Sequence, residues 1–421
     1  MEKFEQEIEV NGHLVDSSIL TKIFDIIMDL KGDFTVLEFS IGKRKEDYSF
    51  AKLLVKGNSK EHLSLMLESL FREGATSISL DEVKCVPAPK DMVLPDEFYS
   101  TTNNQTQIFF HGKWINVENM MMDKCIVLNP ENNTAQCKIN RDVKKGDLIV
   151  TEERGIKIIP QERPREGVDM FQFMSSSSSS ERPSQQMAKK IAYDLYITKQ
   201  KRGKIIVVAG PVIVHSGSAD ILAKLISYGY IDGILAGNAL AVHDIENALL
   251  GTSLGMNIDD GTLAIRGHRN HMTIVNEVFK AGSIKSMVEN GKLKSGIMYE
   301  CIKNDIPFVL CGSIRDDGPI PDVITDVVEA QRQYKKVLKD ATMVLMLSSM
   351  LHSIAVGNMI PASVKVIAID INQPVVTKLL DRGTTQATGI VTDIGSFLPL
   401  IMKSLDSLIY NRQQQQQKQQ P

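Results

Sequence analysis

Several features are scarce in this chain of 421 residues, and each scarcity closes off a class of protein. Cysteine is rare: Cys85, Cys125, Cys137, Cys301 and Cys311 are scattered, and no two form a C-x-x-C pair. A disulfide scaffold is therefore excluded. Long apolar runs are missing; no stretch of about 18 residues escapes a charged or polar break, so no membrane span is expected. The opening MEKFEQEIEVNG lacks the apolar core of a signal peptide. An excess of charge is missing too, with 51 acidic side chains against 48 basic ones and a net charge of -3. Without a positive field, nucleic acid is not an expected partner. The single Trp114 and the 19 methionines follow no recognisable pattern and read as packing. What is left is a soluble protein, expected in the cytoplasm, with length for two or three domains and at least one sizeable core.

Residues 1–95 read as a small α+β domain. Charged and apolar residues alternate over 4–10 as in a half-buried strand, and an apolar stripe at helical spacing covers 17–30. Two strand-like runs at 33–41 and 47–55 flank the polar turn GKRKE; a helix at 60–73 ends at Gly74, and a final strand is expected near 83–86. The order strand, helix, strand, strand, helix, strand is ferredoxin-like. Residues 96–160 read as a small β unit with strands at 107–110, 124–128, 134–139, 147–150 and 155–159, separated by turns such as NPENNT and KKGD. A linker with a helix is expected over 161–199; its serine run, 175–180, offers nothing to bury. The glutamine-rich tail, 411–421, is expected to be disordered.

From residue 200 to 410 the pattern changes. Five nearly continuous apolar runs, at 204–211, 231–237, 306–312, 341–349 and 364–372, suit parallel strands buried on both faces. Helical stretches lie between them, at 218–228, 239–250, 323–339 and 373–382. The alternation predicts a three-layer, Rossmann-like α/β domain.

In such a sheet, ligands bind outside the carboxyl ends of the strands, so the residues that directly follow each run are the informative ones. The first run ends in Ala209-Gly210-Pro211, followed by His215-Ser216-Gly217-Ser218. No G-x-G-x-x-G is present; a glycine turn before a serine-capped helix suits a pyrophosphate, and an ordinary structural turn explains it equally. The second run ends in Gly237-Asn238-Ala239, with Asn238 the expected N-cap. His243 and Asp244 are adjacent and so do not share a helical face, which argues against a metal site. The third run ends in Cys311-Gly312-Ser313-Ile314-Arg315-Asp316-Asp317. Arg315 suits a bidentate grip on a carboxylate, and Asp316 or Asp317 suits an ammonium or a proton relay; the bland alternative is a loop that satisfies itself. The fifth run ends in Asp370-Ile371-Asn372, where the acid either receives ribose hydroxyls of NAD or caps the next helix.

His352, after the fourth run, is an acid/base candidate. Between the second and third runs lies an insertion, residues 256–304, with Asp259, Asp260, His268, Arg269, Asn270 and His271 close together. It is expected to build a lid or substrate pocket. A helix would bring His268 and His271 together, but further zinc ligands are lacking, and no metal is expected. Cys301 and Cys311 read as buried apolar groups rather than nucleophiles. Cofactor contacts accordingly fall to Gly210, Pro211, Gly237, Asn238, Ala239, Gly312, Ser313, Asp370 and Asn372. The catalytic candidates are Arg315, Asp316, Asp317, His352 and His268.

The runs IIVVAGPVIVHSG, GILAGNALAVHDIE, SIRDDGPIPDV and VIAIDINQPVVTKLLDRGTTQATGIVTDIG resemble the archaeal-type ornithine cyclodeaminases. That family carries an N-terminal domain shared with bifunctional lysine-ketoglutarate reductase/saccharopine dehydrogenase proteins. It also resembles the proline-forming part of cyanobacterial bifunctional arginine dihydrolase/ornithine cyclodeaminases, whose dihydrolase domain has no counterpart here. The resemblance covers all but the serine linker and the tail. It implies NAD-dependent conversion of L-ornithine to L-proline and ammonia, in which NAD+ oxidises the amine-bearing carbon and the cyclic imine is reduced by the same NADH. Chemistry and position then make Arg315 the carboxylate clamp and Asp316, Asp317 or His352 the base. A homodimer or homotetramer is expected. Two other readings stay open: an amino-acid dehydrogenase of lysine or saccharopine type, and a non-catalytic amino-acid-binding regulator.

Overall fold

Alternation of charged and apolar residues makes β1 (Glu5–Gly12) a half-buried strand. In α1 (Ile19–Asp29), Ile23 and Ile27 lie one helical turn apart and both enter the core. Then come β2 (Asp33–Ser40), β3 (Ser49–Lys56), α2 (Lys60–Arg72) and β4 (Thr76–Ser77). The Ser59 side chain caps α2 by accepting the His62 N–H. The strands pair antiparallel in the order β2-β3-β1-β4, which is the ferredoxin-like order, over a core that includes Val10, Leu53, Val55, Met66 and Leu70. The expected final strand near 83–86 is corrected. After Gly74, at φ 98°, the buried Ala75 leads directly to Thr76, which pairs with Glu9.

The run at 84–87 instead opens a second sheet as β5 (Lys84–Pro87). It is joined by β6 (Gln105–Phe110), β7 (Lys113–Glu118), β8 (Cys125–Asn129), β9 (Thr134–Lys138), β10 (Leu148–Thr151) and β11 (Ile156–Ile159), in the order β11-β6-β7-β9-β8-β10-β5. Strand β7 is absent from the sequence reading. It returns through a two-residue turn in which His111 and Gly112 both have positive φ, 48° and 73°, so that Phe110 pairs with Lys113. Trp114, on this strand, packs against Phe109 at 5.2 Å between ring centroids.

The chain divides into two units: Met1–Gly167 with Asn358–Ser363, and Val168–Gly357 with Val364–Pro421. The structure, a computed structural model, describes residues 4–12, 14, 19–42, 47–77, 81–159, 184–258, 261–262, 264, 267–316, 318–381 and 387–418. The polar turn at 43–46, the serine run, Asp259, Asp260, Asp317 and the last three residues lie outside these. Both sheets above belong to the first unit.

The second unit runs α3 (Ser184–Gln200), β12 (Lys204–Ala209), α4 (Val212–His215), α5 (Ala219–Ser227), β13 (Gly233–Gly237), α6 (Asn238–Leu250) and the small hairpin β14 (Thr252–Ser253) and β15 (Met256–Asn257). It continues with α7 (Asn270–Ala281), α8 (Ile284–Glu289), α9 (Ile297–Lys303), β16 (Phe308–Cys311), β17 (Val323–Ile324), α10 (Val327–Leu338), β18 (Ala341–Leu347), α11 (Met350–Gly357), β19 (Lys365–Asp370), α12 (Gln373–Asp381), β20 (Ala387–Val391) and α13 (Ile394–Lys418). The sheet is wholly parallel, in the order β17-β16-β13-β12-β18-β19-β20. From β12 the chain builds outward through β13 and β16, then returns and builds the other way from β18. This is the doubly wound Rossmann order, with its switch point between β12 and β18.

Two of these strands escape the sequence reading. The expected helix at 323–339 begins late, because Asp326 caps α10 by accepting the Val328 and Glu329 N–H groups, and the β-branched Val323 and Ile324 pair with β16. In β20, Gly389 dilutes the apolar run; a Cβ there would overlap Val376 of α12. Helix α3 is no linker either: Met187, Ile191 and Leu195 join Phe397, Ile401 and Leu405 of α13 in the main core. Helix α13 continues to Lys418, past the expected end of structure at 410, and glutamine is a fair helix former. The insertion also differs from the expected lid. Ile274, Val278, Ile284, Met287, Ile297 and Cys301 are fully or almost fully buried, so α7, α8 and α9 form part of the core.

Gly210 shows what holds the two central strands at their ends. Its N–H donates to the Leu347 carbonyl at 2.9 Å, and a Cβ would overlap the carbonyl oxygen of Ser348. Gly210→Ala is expected to cost roughly 2–3 kcal/mol, since backbone must move to admit the methyl group. Gly357→Ala, at a helical glycine whose added Cβ would meet only Met346 Cε at 4.0 Å, is expected to hold stability or raise it by up to about 1 kcal/mol. Urea unfolding of the two variants checks both.

Candidate active site

The ends of β12, β13 and β16, together with α11 after β18, surround a cavity of about 770 Å³. That is within the usual size of a small-molecule site, and it sits where a doubly wound sheet offers one. Pro211 and His215 come from the end of β12 and α4. Gly237, Asn238, Ala239 and His243 come from the end of β13 and the first turns of α6. Leu254 and Gly255 come from the turn of the β14–β15 hairpin, Gly267, His271 and Met272 from the insertion, Ser313, Arg315 and Asp316 from the loop after β16, and His352 from α11.

Each wall has a local cause. Helix α6 starts directly after Gly237, and a Cβ there would lie 3.0 Å from His352 Nε2, so the glycine lets α11 close against the helix start. Asn238 is not the N-cap; it is the first helical residue, buried, and its Oδ1 accepts the Ile320 N–H at 3.2 Å. Asp316 Oδ2 accepts the Ser313 N–H at 2.8 Å, which folds the loop, while the Arg315 side chain is exposed. Asp317, the loop's other aspartate, lies outside the described residues; among those described, no ion pair of Arg315 occurs.

Three histidines meet along one side. The rings of His215 and His243 are 4.7 Å apart in edge-on contact, and those of His243 and His271 are 5.2 Å apart. Behind His243 stands Glu246, with a fully buried carboxylate. Its Oε2 lies 2.9 Å from His243 Nδ1, and its Oε1 accepts from the Thr252 hydroxyl at 2.8 Å and the Gly255 N–H at 3.1 Å. Burial works to raise the Glu246 carboxyl, but the three donors win and hold it below the usual carboxylate range. An ionised carboxylate only accepts, so His243 Nδ1 carries the hydrogen and Nε2 is left as an acceptor. Asp244, the neighbour in sequence, turns the other way. It accepts the Ile297 and Met298 N–H groups at 2.9 and 2.8 Å, and burial pushes its carboxyl up to about 7.

His352 is oriented differently. The Tyr334 hydroxyl donates to the Ala236 carbonyl at 2.7 Å and lies 3.0 Å from His352 Nδ1, so Nδ1–H donates to the phenol oxygen. Burial lowers the His352 pKa and raises that of Tyr334. His268 falls in the turn Gly267–Arg269 and its side chain is not described; His271 joins His243 instead.

Of the expected cofactor contacts, Gly210, Gly312, Asp370 and Asn372 are not among the residues that line this cavity. Gly210 packs under Ser348, and the Gly312 N–H donates to Ile324. Asp370 ends β19 and its Oδ1 accepts the Asn372 N–H at 2.8 Å; neither residue lines the cavity. Cys301 is buried in the core with its thiol pKa raised by burial. Sequence reasoning missed His215, His243, Glu246 and Tyr334. The spacing His243-x-x-Glu246 was the available signal, since residues three apart share a helical face. Among the described residues, no three His, Cys, Asp or Glu side chains converge as a metal site.

Three family models cover most of the chain. The LOR/SDH bifunctional enzyme conserved region matches residues 5–104, the first C-terminal region of the arginine dihydrolase ArgZ type matches 105–188, and the Rossmann-fold region of that type matches 189–401. The ornithine cyclodeaminase of Methanocaldococcus jannaschii is 54% identical over 410 residues, which are 96% of this chain and 97% of that one. A crystal structure of a LOR/SDH protein from Methanococcus maripaludis is similar at a TM-score of 0.75 and 49% identity, over 78% of this chain and 99% of that one. The crystal structure of AgrE in ternary complex with ornithine and NAD+ is similar at a TM-score of 0.53 and 43% identity, over 96% of this chain and 58% of that one.

His215 carries a measurable consequence of its place. Burial first, and His243 beside it, lower its pKa from 6.5 to about 4. Because the folded value lies below the unfolded one, the stability it contributes is complete above about pH 6.5 and is lost as pH falls toward 4. In an NMR titration its ring proton is expected to stay at the neutral position from pH 8 to 5 and to move with a midpoint near 4; a midpoint near 6.5 would contradict the buried placement.

Proposed function

The chain belongs to the ornithine cyclodeaminase family, and on that premise we propose that it binds NAD and converts L-ornithine to L-proline and ammonia. The observation that carries this reading is the convergence of an exposed arginine and four histidines on one cavity beside the switch point. The residues present fit the cofactor: the turn through Pro211 and the N–H groups of the first turn of α6, after Gly237, face the cavity rim and suit a dinucleotide's phosphates. When bound, NAD supplies a reversible two-electron oxidation, so that one substrate carbon is oxidised and the cyclised product reduced with no net change in the cofactor.

The chain's own groups divide the remaining work. Arg315 grips the α-carboxylate from the loop that Asp316 holds in shape. His352, with Nε2 as its acceptor atom, handles a proton near Gly237. Asp317 and His268 keep their places as candidates by position. Asp370, at the neighbouring strand end, offers its free carboxylate oxygen to ribose hydroxyls. Leu254, just before the insertion, and Met272, within it, add apolar surface to the cavity wall, where a hydrolysable imine needs shielding from water. A cytoplasmic location and a homodimer or homotetramer are part of the same proposal, the latter supported by Val36, Leu37 and Phe39, exposed on the edge strand β2.

Purified protein given NAD+ and isotopically labelled L-ornithine is expected to release proline and ammonia in equal amounts without net NADH, as followed by mass spectrometry and absorbance. Accumulating NADH would favour a dehydrogenase, and binding without turnover a regulator. Arg315→Met is expected to raise KM for ornithine by roughly tenfold to a hundredfold while leaving Tm within a degree or two, since its side chain is exposed.

A further inference from the structure

We propose that His243 is a proton-transfer residue of this cavity and that Glu246, which does not line the cavity, is its positioning residue. The inference rests on the reading of the cavity as the amine-oxidising site. Both substrate amines are ammonium groups at neutral pH, and neither can act until its nitrogen has a free electron pair. The α-nitrogen must lose a proton before its carbon can be oxidised, and the δ-nitrogen must lose one before it attacks. The departing α-nitrogen must regain a proton to leave as ammonia. The δ-nitrogen sheds a second proton once it has bonded to carbon. Of the three protons released, one returns to the departing α-nitrogen and two end on the ammonia and on the proline nitrogen, so a group that takes protons from nitrogen and gives them back ends the cycle as it began.

His243 has the geometry for that exchange. The buried Glu246 carboxylate fixes the hydrogen on Nδ1, turns Nε2 into the acceptor and compensates the imidazolium formed when a proton arrives. Glu246 is itself held from three directions, by His243, by Thr252 and by the Gly255 N–H, and Thr252 accepts in turn from Asn270 at the start of α7. The pair is therefore fixed to α6, β14 and α7 together. The other groups around His243 are differently disposed. His215 from α4 has its Nδ1 on the Ser253 hydroxyl at 2.7 Å. His271 comes from α7, Arg315 and Asp316 from the loop after β16, and His352 from α11, where it is backed by a phenol. Asp244, although next in sequence, is engaged with α9.

The test measures steady-state proline formation by the NAD+-loaded protein and its variants across pH. His243→Gln, which keeps a donor for Glu246, is expected to lose about 10²- to 10⁴-fold in kcat while NAD+ binding by calorimetry stays within a few-fold. Glu246→Gln presents its amide N–H₂ to His243 once its carbonyl has taken the Thr252 and Gly255 donors. That reverses the tautomer and is expected to lower kcat by a similar factor with KM little changed. Added imidazole is expected to restore part of the rate of His243→Ala, a response that a structural role would not give. If His243→Gln keeps kcat within about threefold, or if Glu246→Gln loses rate only in step with lost NAD+ binding and lower Tm, the assignment is overturned. A wild-type protein that forms no proline overturns the reading of the site itself, and the assignment with it.

Discussion

One buried carboxylate organises the functional end of the second unit. Glu246 sits with no solvent exposure on α6, and a charge in that position persists only if hydrogen bonds replace water. The groups that replace it come from different parts of the chain: His243 one turn earlier, Thr252 on the hairpin strand, and the Gly255 N–H beyond it. Satisfying this single charge therefore sets the imidazole's orientation and the path of the chain as it leaves α6. The pair Gly255 and Gly267 extends the constraint. Their backbones approach so closely that a Cβ on either would overlap the other, which brings the front of the insertion to the cavity wall.

The sheet supplies the frame in which that charge has a purpose. Reversal of strand order between β12 and β18 opens a crevice at the carboxyl ends, and the loops after β12, β13 and β16 all empty into it. The strands themselves are apolar on both faces and contribute position, not chemistry. Polar groups occur where the apolar runs stop: Pro211 and His215, Gly237 and Asn238, Ser313 through Asp316. This division between an apolar layer and a polar rim is why one cavity can collect side chains as distant in sequence as His215 and His352.

Glycines read as cofactor turns divide into two kinds once the backbone is seen. Gly237 lies at the cavity and makes room for His352. Gly210 and Gly312 serve strand packing, the first under Ser348 and the second in a backbone bond to Ile324. The residue type announces that the backbone comes close to something; whether that partner is a ligand or another strand is a property of the fold.

The alternation of apolar runs and helical stretches was enough to specify the Rossmann-like domain, and the strand-helix order was enough for the ferredoxin-like one, because burial on one face or two imposes a period that survives in the sequence. Arg315, Asp316 and His352, singled out for their places after strands, line one cavity. Short or glycine-bearing strands such as β4, β17 and β20 left too few apolar residues to set a period, and β7 depended on a turn with two positive φ values. The insertion was legible as polar at its front, but not as core behind, since its apolar residues find their partners on distant elements. Tertiary structure alone decided the histidine cluster. His215, His243 and His271 are separated along the chain, and the carboxylate beside His243 in sequence points to α9 while the one three residues on points back to it. Sequence carries periodicity and residue type; it does not carry which buried charge faces which donor, because that follows from contacts between segments far apart in the chain.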